Sequence, residues 1–152
     1  MNSPADASAI RLRPAAPADV AGLAELCGQL SYPSRPDEVE QRLRGIEHNL
    51  EHAVFVAQRA NGILAGWVHV FVMRTVEADP RAEIGGLVVD ERCRSRGVGR
   101  LLMEKAEQWA REHSCRAVGL RSNVIRERAH TFYERLGYKL IKTQKSFRKP
   151  LE

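Results

Sequence analysis

The chain has 152 residues, of which 43% are hydrophobic and 28% charged, and its net charge is +5. This composition predicts one globular domain over residues 1–152 with a loose tail at residues 1–7, and it excludes disordered and collagen-like classes. No apolar run approaches the roughly 20 residues of a membrane helix, and the start lacks an apolar signal core, so we expect a cytoplasmic protein. Cys27, Cys93 and Cys115 have no metal-type spacing, which predicts reduced thiols and no metal site.

Hydrophobic periodicity divides the chain into helices and strands that interleave. Apolar residues at helical spacing predict helices over residues 17–30, 36–50, 97–113 and 126–136. Alternating or continuous apolar runs predict strands over residues 10–13, 53–58, 63–73, 83–89, 117–121, 138–144 and 146–149. The order of these elements, together with one hairpin, predicts a mixed α/β sheet with helices packed on its faces.

Short local signals mark the ends and irregularities of these elements. Residues 61–62, Asn-Gly, predict the hairpin turn. Ser34 and Asp37 have capping-box spacing at the start of the second helix, and Gly137 is placed to end the last helix. The glycine pair at residues 85–86 predicts a bulge or a close backbone approach within its strand.

A turn rich in glycine and arginine over residues 94–99 is the strongest functional signal. It reads Arg-Ser-Arg-Gly-Val-Gly, follows an apolar strand and opens a helix. Glycines expose consecutive N–H groups, and the helix N-terminus and the arginines add positive charge, which together predict a pyrophosphate site. Leu102 stands where a Rossmann turn has its third glycine, and the Gly-Lys-Ser/Thr of a P-loop is absent. Coenzyme A is the remaining common ligand.

This turn and a second motif resemble the GNAT acetyltransferase superfamily. Arg94-x-x-Gly97-x-Gly99 matches the family's acetyl-CoA signature, and Ala-His-Thr-Phe-Tyr-Glu-Arg-Leu-Gly-Tyr at residues 129–138 is similar to its second motif. Residues 8–30 look like its opening strand and helix. The resemblance implies a mixed, mostly antiparallel sheet of about six to seven strands flanked by about four helices. It also implies an N-acetyltransferase that moves an acetyl group from its co-substrate acetyl-CoA to a primary amine, with no metal.

The resemblance implies that the cofactor lies along the turn and the strand before it. Leu87, Val88 and Val89 would run beside the pantetheine arm, with the Val88 N–H facing the thioester oxygen. The phosphates would be held by the turn and the first residues of the helix, namely Arg94, Ser95, Arg96, Gly97, Val98, Gly99 and Arg100. Arg92 adds a further positive charge close by.

The resemblance also implies an acid and a base. Tyr133 holds the position of the general acid in many family members, where a phenol protonates the departing thiolate, although a core tyrosine is the alternative. Glu83 lies 11 positions before Arg94, as the catalytic glutamate does in histone-type enzymes of the family. The alternatives are a structural Glu83 that pairs with Arg81 or Arg74, and a chain of waters in place of one base.

One segment departs from the commoner family pattern. Arg126 holds the position of the usual asparagine, and Asn123 lies three residues earlier. Asn123 therefore either contacts pantetheine from an enlarged loop or caps the last helix, and both residues are candidates for cofactor binding. The arrangement is similar to a branch that includes some aminoglycoside 6'-N-acetyltransferases. His130 is expected to be exposed or capping, and His69 to be packed or to line a cleft.

Acceptor specificity in this family comes from two segments, here roughly residues 30–50 and 74–81. In and beside them are the acidic side chains of Asp37, Glu38, Glu40, Glu47, Glu51, Glu77 and Asp79. They predict a cationic amine acceptor, with a solvated acidic surface as the alternative.

Two other functional classes stay open. A non-catalytic acyl-CoA-binding sensor would use the same turn. Residues 92–149 carry 16 basic and 5 acidic side chains, yet no nucleic-acid recognition motif accompanies them, so nucleic-acid binding ranks last. We expect neither nucleic acid nor a membrane as a partner, and the family resemblance allows a homodimer.

Overall fold

The computed structural model describes residues 9–152, so the expected tail at residues 1–7 lies outside the described residues. The described chain falls into two compact units, one that ends at Leu120 and one from Arg121 to Glu152. The single domain expected from length stays a prediction. No helix among the described residues is both long and apolar enough to cross a membrane.

A five-stranded sheet forms the first unit. Its strands are β1 (Arg11–Pro14), β2 (His52–Gln58), β3 (Leu64–Met73), β4 (Arg81–Val89) and β5 (Val118–Leu120). They lie in sequence order, with antiparallel pairing from β1 to β4 and parallel pairing between β4 and β5. The predicted mixed, mostly antiparallel sheet is thereby confirmed. The predicted hairpin turn is present, because Gly62 adopts φ +87° and its N–H donates to the Arg59 carbonyl over 2.9 Å.

Four α-helices lie within residues 9–152, as expected. They are α1 (Val20–Gln29), α2 (Pro36–Arg44), α3 (Val98–Glu112) and α4 (Glu127–Arg135), with short 3-10 turns at Pro17–Asp19 and Glu91–Cys93. The prediction that the second helix reaches residue 50 is wrong. Gly45 ends it, and Leu50 is 85% exposed, so no burial stabilises a longer helix. The capping box was predicted at Ser34 and Asp37, one residue too early. The structure has it at Arg35 and Glu38, where the Glu38 carboxylate accepts the Arg35 N–H over 2.9 Å.

Helices cover both faces of the sheet. Leu23 and Leu26 of α1 form a buried cluster with Val56 of β2 and Val88 of β4. On the other face lies α3, whose predicted apolar stripe is buried at Leu102, Met103, Ala106, Trp109 and Ala110. The Leu102 side chain approaches the backbone of β3 at Gly66, and the Lys105 ammonium lies 5.2 Å from the centroid of the Phe55 ring. β4 therefore lies between two packed helical layers.

The strand count is lower than expected because residues 138–152 contain no strand. The two strands predicted at residues 138–144 and 146–149 are therefore wrong. Their apolar residues Leu140, Ile141 and Phe147 are more than 80% exposed. A strand gains stability from a bonded neighbour and a buried face, and alternation alone supplies neither of them.

Candidate active site

The segment after β4 is held by a buried carboxylate. Asp90 is 3% exposed, and it accepts the Arg92 backbone N–H over 3.0 Å at the start of the 3-10 turn. The Arg92 guanidinium donates to both oxygens of the same carboxylate, over 3.2 and 2.9 Å. These hydrogen bonds hold the pKa of Asp90 below its usual value. Arg92 therefore fixes the turn, and its role as a further positive charge beside the phosphate site stays a prediction.

The predicted phosphate turn has the geometry of an anion site. Ser95 and Gly97 adopt φ values of 66° and 83°, and Gly97 is the N-cap of α3. The first bond of the helix joins the Leu101 N–H to the Gly97 carbonyl over 3.1 Å. The N–H groups of the three residues between them, 98–100, therefore have no partner within the helix and point out of its positive end. Arg94 and Arg100, on either side, are exposed.

The edge of β4 that faces β5 is only partly paired. Pairing between the two strands covers Ala82 to Ile84, and β4 continues beyond it to Val89. On the β3 side, Gly66 lies opposite Val89, while the Asp90 N–H donates to the Ala65 carbonyl over 2.8 Å.

This arrangement makes Gly66 and Val89 a non-hydrogen-bonded pair and Trp67 and Val88 a hydrogen-bonded pair. The Val88 N–H therefore points to β3, and the expectation that it faces the thioester is corrected. The N–H groups of Leu87 and Val89 point to the other edge, because successive N–H groups of a strand alternate in direction.

The predicted irregularity at residues 85–86 is a bulge that two rings cover. Ile84 and Gly86 pair with the consecutive residues Val70 and His69, which leaves Gly85 as the extra residue. A Cβ on Gly85 would lie 2.6 Å from His69 Nδ1, and one on Gly86 would lie 2.7 Å from the Trp67 ring. Glycine suits both positions, because an atom of an aromatic ring stands where a Cβ would lie and a larger residue would force that ring to shift.

Glu83 lies on the same strand, two residues before the bulge. It is 7% exposed, and its Oε2 lies 3.6 Å from the Arg81 Nε. Oε2 also lies close to Gly119 of β5, where a Cβ would approach it to 2.8 Å. The structural alternative of an Arg81 pair is therefore present, and Arg74 instead binds Glu51. A buried carboxylate with one cationic neighbour also suits a base that is held in one orientation.

The second unit carries the other predicted residues. Tyr133 lies on α4, with the Phe132 and Tyr138 rings 5.2 and 6.1 Å from its own centroid to centroid. Burial raises the pKa of the Tyr133 phenol, an effect that Arg126 partly opposes. The Asn123 side-chain oxygen accepts the Ile125 N–H over 3.1 Å, in the loop before α4, whereas the N-cap of that helix is Arg126. The alternative that Asn123 caps the last helix is therefore not met.

Two smaller expectations concern the same unit. His130 is half-buried, and its Nε2 lies 2.8 Å from the Asn123 carbonyl in the loop before α4, so its ring contacts this loop and does not cap the helix. Gly137 adopts φ +95° just after α4, as expected of a residue that ends a helix.

Most of the predicted acidic residues have basic neighbours. Five lie within 4 Å of one, in the pairs Asp37–Arg35, Glu38–Arg42, Glu40–Arg44, Glu47–His48 and Glu51–Arg74. Glu77 and Asp79 are exposed and form no ion pair with any residue from 9 to 152. The negative charge available to a cationic acceptor is therefore concentrated on the loop between β3 and β4.

One pair of residues on β2 and β3 could not be predicted from the sequence. His52 Nδ1 lies 3.0 Å from His69 Nε2, on neighbouring strands. His52 is the first residue of β2, whose sequence has an ordinary apolar pattern. No sequence pattern connects two histidines that lie 17 positions apart. The register of β2 against β3 brings them together.

Comparison with known proteins identifies the family. The profile of the acetyltransferase (GNAT) family matches residues 20–138. An aminoglycoside N(6')-acetyltransferase type 1 of Stenotrophomonas maltophilia is 31% identical over 150 residues, which cover 96% of this chain and 97% of the relative. The chain belongs to the GNAT family and is an acetyl-CoA-dependent N-acetyltransferase.

Solved structures agree on the fold. The aminoglycoside 6'-N-acetyltransferase AAC(6')-Ih of Acinetobacter baumannii has a TM-score of 0.82 at 18% identity, over 94% of this chain and 99% of its own. An AAC(6')-Iy structure in complex with CoA has a TM-score of 0.82 at 19% identity, over 92% and 94% of the two chains. These likenesses confirm the GNAT fold class expected from the two motifs.

Proposed function

We propose that the acceptor is a primary amine of a polycationic small molecule of the aminoglycoside type. The observation that carries this proposal is the 31% identity, over nearly the full length of both chains, with an aminoglycoside N(6')-acetyltransferase. The exposed carboxylates of Glu77 and Asp79 support it, because a polycation needs unpaired negative charge to bind. The free thiols of Cys27, Cys93 and Cys115 fit a reducing cytoplasm as the place of the reaction.

Backbone groups hold the phosphates of acetyl-CoA in this proposal. The N–H groups of Val98, Gly99 and Arg100 bind the pyrophosphate at the positive end of α3. The guanidinium groups of Arg94 and Arg100 add charge that can follow the phosphates, since both side chains are exposed. Residues 95–96 complete the turn and set its path.

The pantetheine arm lies along the part of β4 beyond its pairing with β5. Leu87 and Val89 offer N–H groups there, in the manner of an added strand, while the Val88 side chain anchors β4 in the core at 4% exposure. Asn123 and Arg126 are proposed as further cofactor contacts. The turn uses the oxygen of the Asn123 amide, which leaves the nitrogen of that amide as a donor.

The reaction needs a neutral amine, a polarised carbonyl and a proton for the thiolate. The N–H groups of Leu87 and Val89 are the proposed donors to the developing oxyanion. Tyr133 is the proposed acid, and its raised pKa keeps the phenol protonated until the thiolate forms. Glu83 is the proposed base, which Arg81 holds in orientation.

A panel of amines tests this assignment by release of the CoA thiol. It contains an aminoglycoside with a 6'-amine, a matched one with a 6'-hydroxyl, spermidine and a lysine peptide. We expect turnover of the 6'-amine compound and a rate at least about 100-fold lower for the 6'-hydroxyl compound. Turnover confined to spermidine or the peptide would overturn the aminoglycoside assignment. Acetyl-CoA binding without turnover of any amine would instead favour the sensor alternative.

A further inference from the structure

Two histidines form a hydrogen-bonded pair on the sheet face that carries Glu83. Val54 lies opposite His69, and His52 lies opposite Phe71, so these residues share one face. The two imidazoles are joined between His52 Nδ1 and His69 Nε2 at 3.0 Å. Both rings also pack against Phe71, with centroids 5.2 and 5.5 Å from its own. The pair is therefore held in one geometry by stacking as well as by its bond.

The other nitrogen of His69 reaches the β4 bulge. Its Nδ1 lies against Gly85, where a Cβ would approach it to 2.6 Å. Gly85 is exposed, so this edge of the imidazole lies next to a part of β4 that is open to solvent. Two residues further along β4 is Leu87, whose N–H is a proposed donor to the thioester. The bulge thus brings an imidazole nitrogen close to the reacting end of the pantetheine arm.

The two imidazoles have different surroundings. Burial, and secondarily the charge of His52, lowers the pKa of His69 to about 4. His69 is therefore neutral near pH 7 and has a lone pair, but it cannot store a proton. His52 lines a groove of about 420 Å³ on the protein surface. His52 can therefore exchange a proton with water, whereas a proton that His69 accepts is transferred to His52.

We propose that His69 accepts a proton from the acceptor ammonium at Nδ1 and passes its own Nε2 proton to His52 Nδ1, so that the pair is a proton relay. This inference rests on the proposed N-acetylation of a cationic amine. His69 is then the residue that touches the substrate, and His52 acts through it. The relay thus replaces Glu83 as the first acceptor of the amine proton. Glu83, held by Arg81, orients the amine electrostatically, and it acts as the base assigned to it above only where the relay is removed.

The proton balance closes without any further reactant. The ammonium gives one proton to His69 Nδ1, the His69 Nε2 proton moves to His52 Nδ1, and the His52 imidazolium releases its Nε2 proton to water. Once the product has left, His69 Nδ1 releases its proton to water, the His52 Nδ1 proton returns to His69 Nε2, and His52 Nε2 regains a proton from water, which restores the starting tautomers. The amine lone pair then attacks the thioester carbon, and the C–S bond breaks. The departing thiolate takes the phenol proton of Tyr133, which the second amine proton replaces. One proton is released for each acetyl group transferred.

Several other charged groups lie near the histidine pair. On β4 these are Glu83 and Arg81, and next to His52 they are Glu51 and its partner Arg74. The groove beside His52 is also lined by Glu40, Arg44 and Glu47. Glu83, Glu51 and Glu40 each have an arginine within 4 Å, whereas the neighbour of Glu47 is His48, so Glu47 is the acidic member of this set without an arginine partner among the described residues.

A tautomer measurement tests the relay without any activity assay. Two-bond nitrogen–proton NMR on labelled protein at pH 7, assigned with His69→Gln and His52→Gln, reports which nitrogen of each neutral imidazole carries the proton. The relay requires His69 to carry it on Nε2, with Nδ1 unprotonated toward Gly85. A His69 proton on Nδ1 would overturn the proposal, because no lone pair would then face the amine. This result stands even if no acceptor amine is found.

Kinetics supply the second test, with His48→Gln as the matched control on a 93% exposed side chain. We expect His69→Gln and His52→Gln each to lower kcat about 100-fold at pH 7, with the Kd of acetyl-CoA unchanged. The loss should shrink to less than about tenfold near pH 9.5, where the amine is already neutral. A loss that is equal at both pH values would mean a structural role and contradict the relay. Absence of turnover by the unaltered enzyme would refute the proposed acceptor. The tautomer of His69 would then be the test of the relay.

Discussion

The two ends of the candidate site use different kinds of chemical groups. The phosphate end, residues 94–100, is a continuous stretch whose working groups are mostly backbone N–H donors. The reacting end collects side chains from separate elements, with Glu83 on β4, His69 on β3 and His52 on β2. A continuous turn binds a ligand shared by a whole family, whereas dispersed side chains can change with the acceptor. The two ends therefore respond to substitution in different ways.

The largest expected effect is on chemistry at the reacting end. Tyr133→Phe removes the proposed acid and keeps the ring that packs against Phe132 and Tyr138. We expect kcat to fall about 100- to 1000-fold while the Kd for acetyl-CoA is unchanged, since a positioned acid contributes rates of this order. Tyr138→Phe is the control, measured by steady-state thiol release and calorimetry. Equal turnover of Tyr133→Phe and the unaltered enzyme would remove Tyr133 as the acid.

The next effect is on stability in acid. Burial lowers the pKa of His69 from its usual value of 6.5 to about 4 in the folded protein, so folding favours the neutral imidazole. This contribution is complete above pH 6.5 and is lost as the pH falls toward 4, by up to about 3 kcal/mol. Urea unfolding of the unaltered protein should therefore show a decline over this range that His69→Gln lacks. The same decline in both proteins would show that other groups cause it.

A smaller effect is expected at the phosphate end. Gly97→Ala places a side chain at φ +83°, which costs about 1–2 kcal/mol and distorts the turn. We expect the Kd for acetyl-CoA to rise about tenfold with kcat at saturation nearly unchanged. Gly28→Ala makes the same chemical change within α1, where a Cβ meets nothing within 4 Å. If the two variants bind acetyl-CoA equally well, the turn does not hold the phosphates.

The smallest effect concerns the acceptor. Replacing Glu77 with Gln and Asp79 with Asn removes exposed charges, each of which contributes less than about 1 kcal/mol at a solvated surface. We therefore expect the KM for a polycationic amine to rise about three- to tenfold, with the KM for acetyl-CoA unchanged. The rise should weaken at high salt, because salt screens these charges. An unchanged amine KM at low salt would exclude this loop from acceptor binding.

The local backbone geometry of the turn at residues 94–100 could be predicted from the sequence. Its geometry depends on near neighbours, as in the left-handed Gly97 that opens α3. The glycine bulge at residues 85–86 was predicted for the same reason. The direction of the Val88 N–H was not, because it depends on which residue of β3 lies opposite. The same is true of the His52–His69 pair, which strand register alone creates. The alternation in residues 138–149 resembles that of a strand, but those side chains have no buried face.

The central claim is that acetyl-CoA binds at the turn that opens α3. Calorimetric titration of the protein with acetyl-CoA, and with dephospho-CoA for comparison, measures this binding directly. We predict saturable binding of acetyl-CoA, weaker binding when the 3'-phosphate is absent, and about tenfold weaker binding of acetyl-CoA by Gly97→Ala. The absence of any acetyl-CoA binding by the unaltered protein would contradict the account.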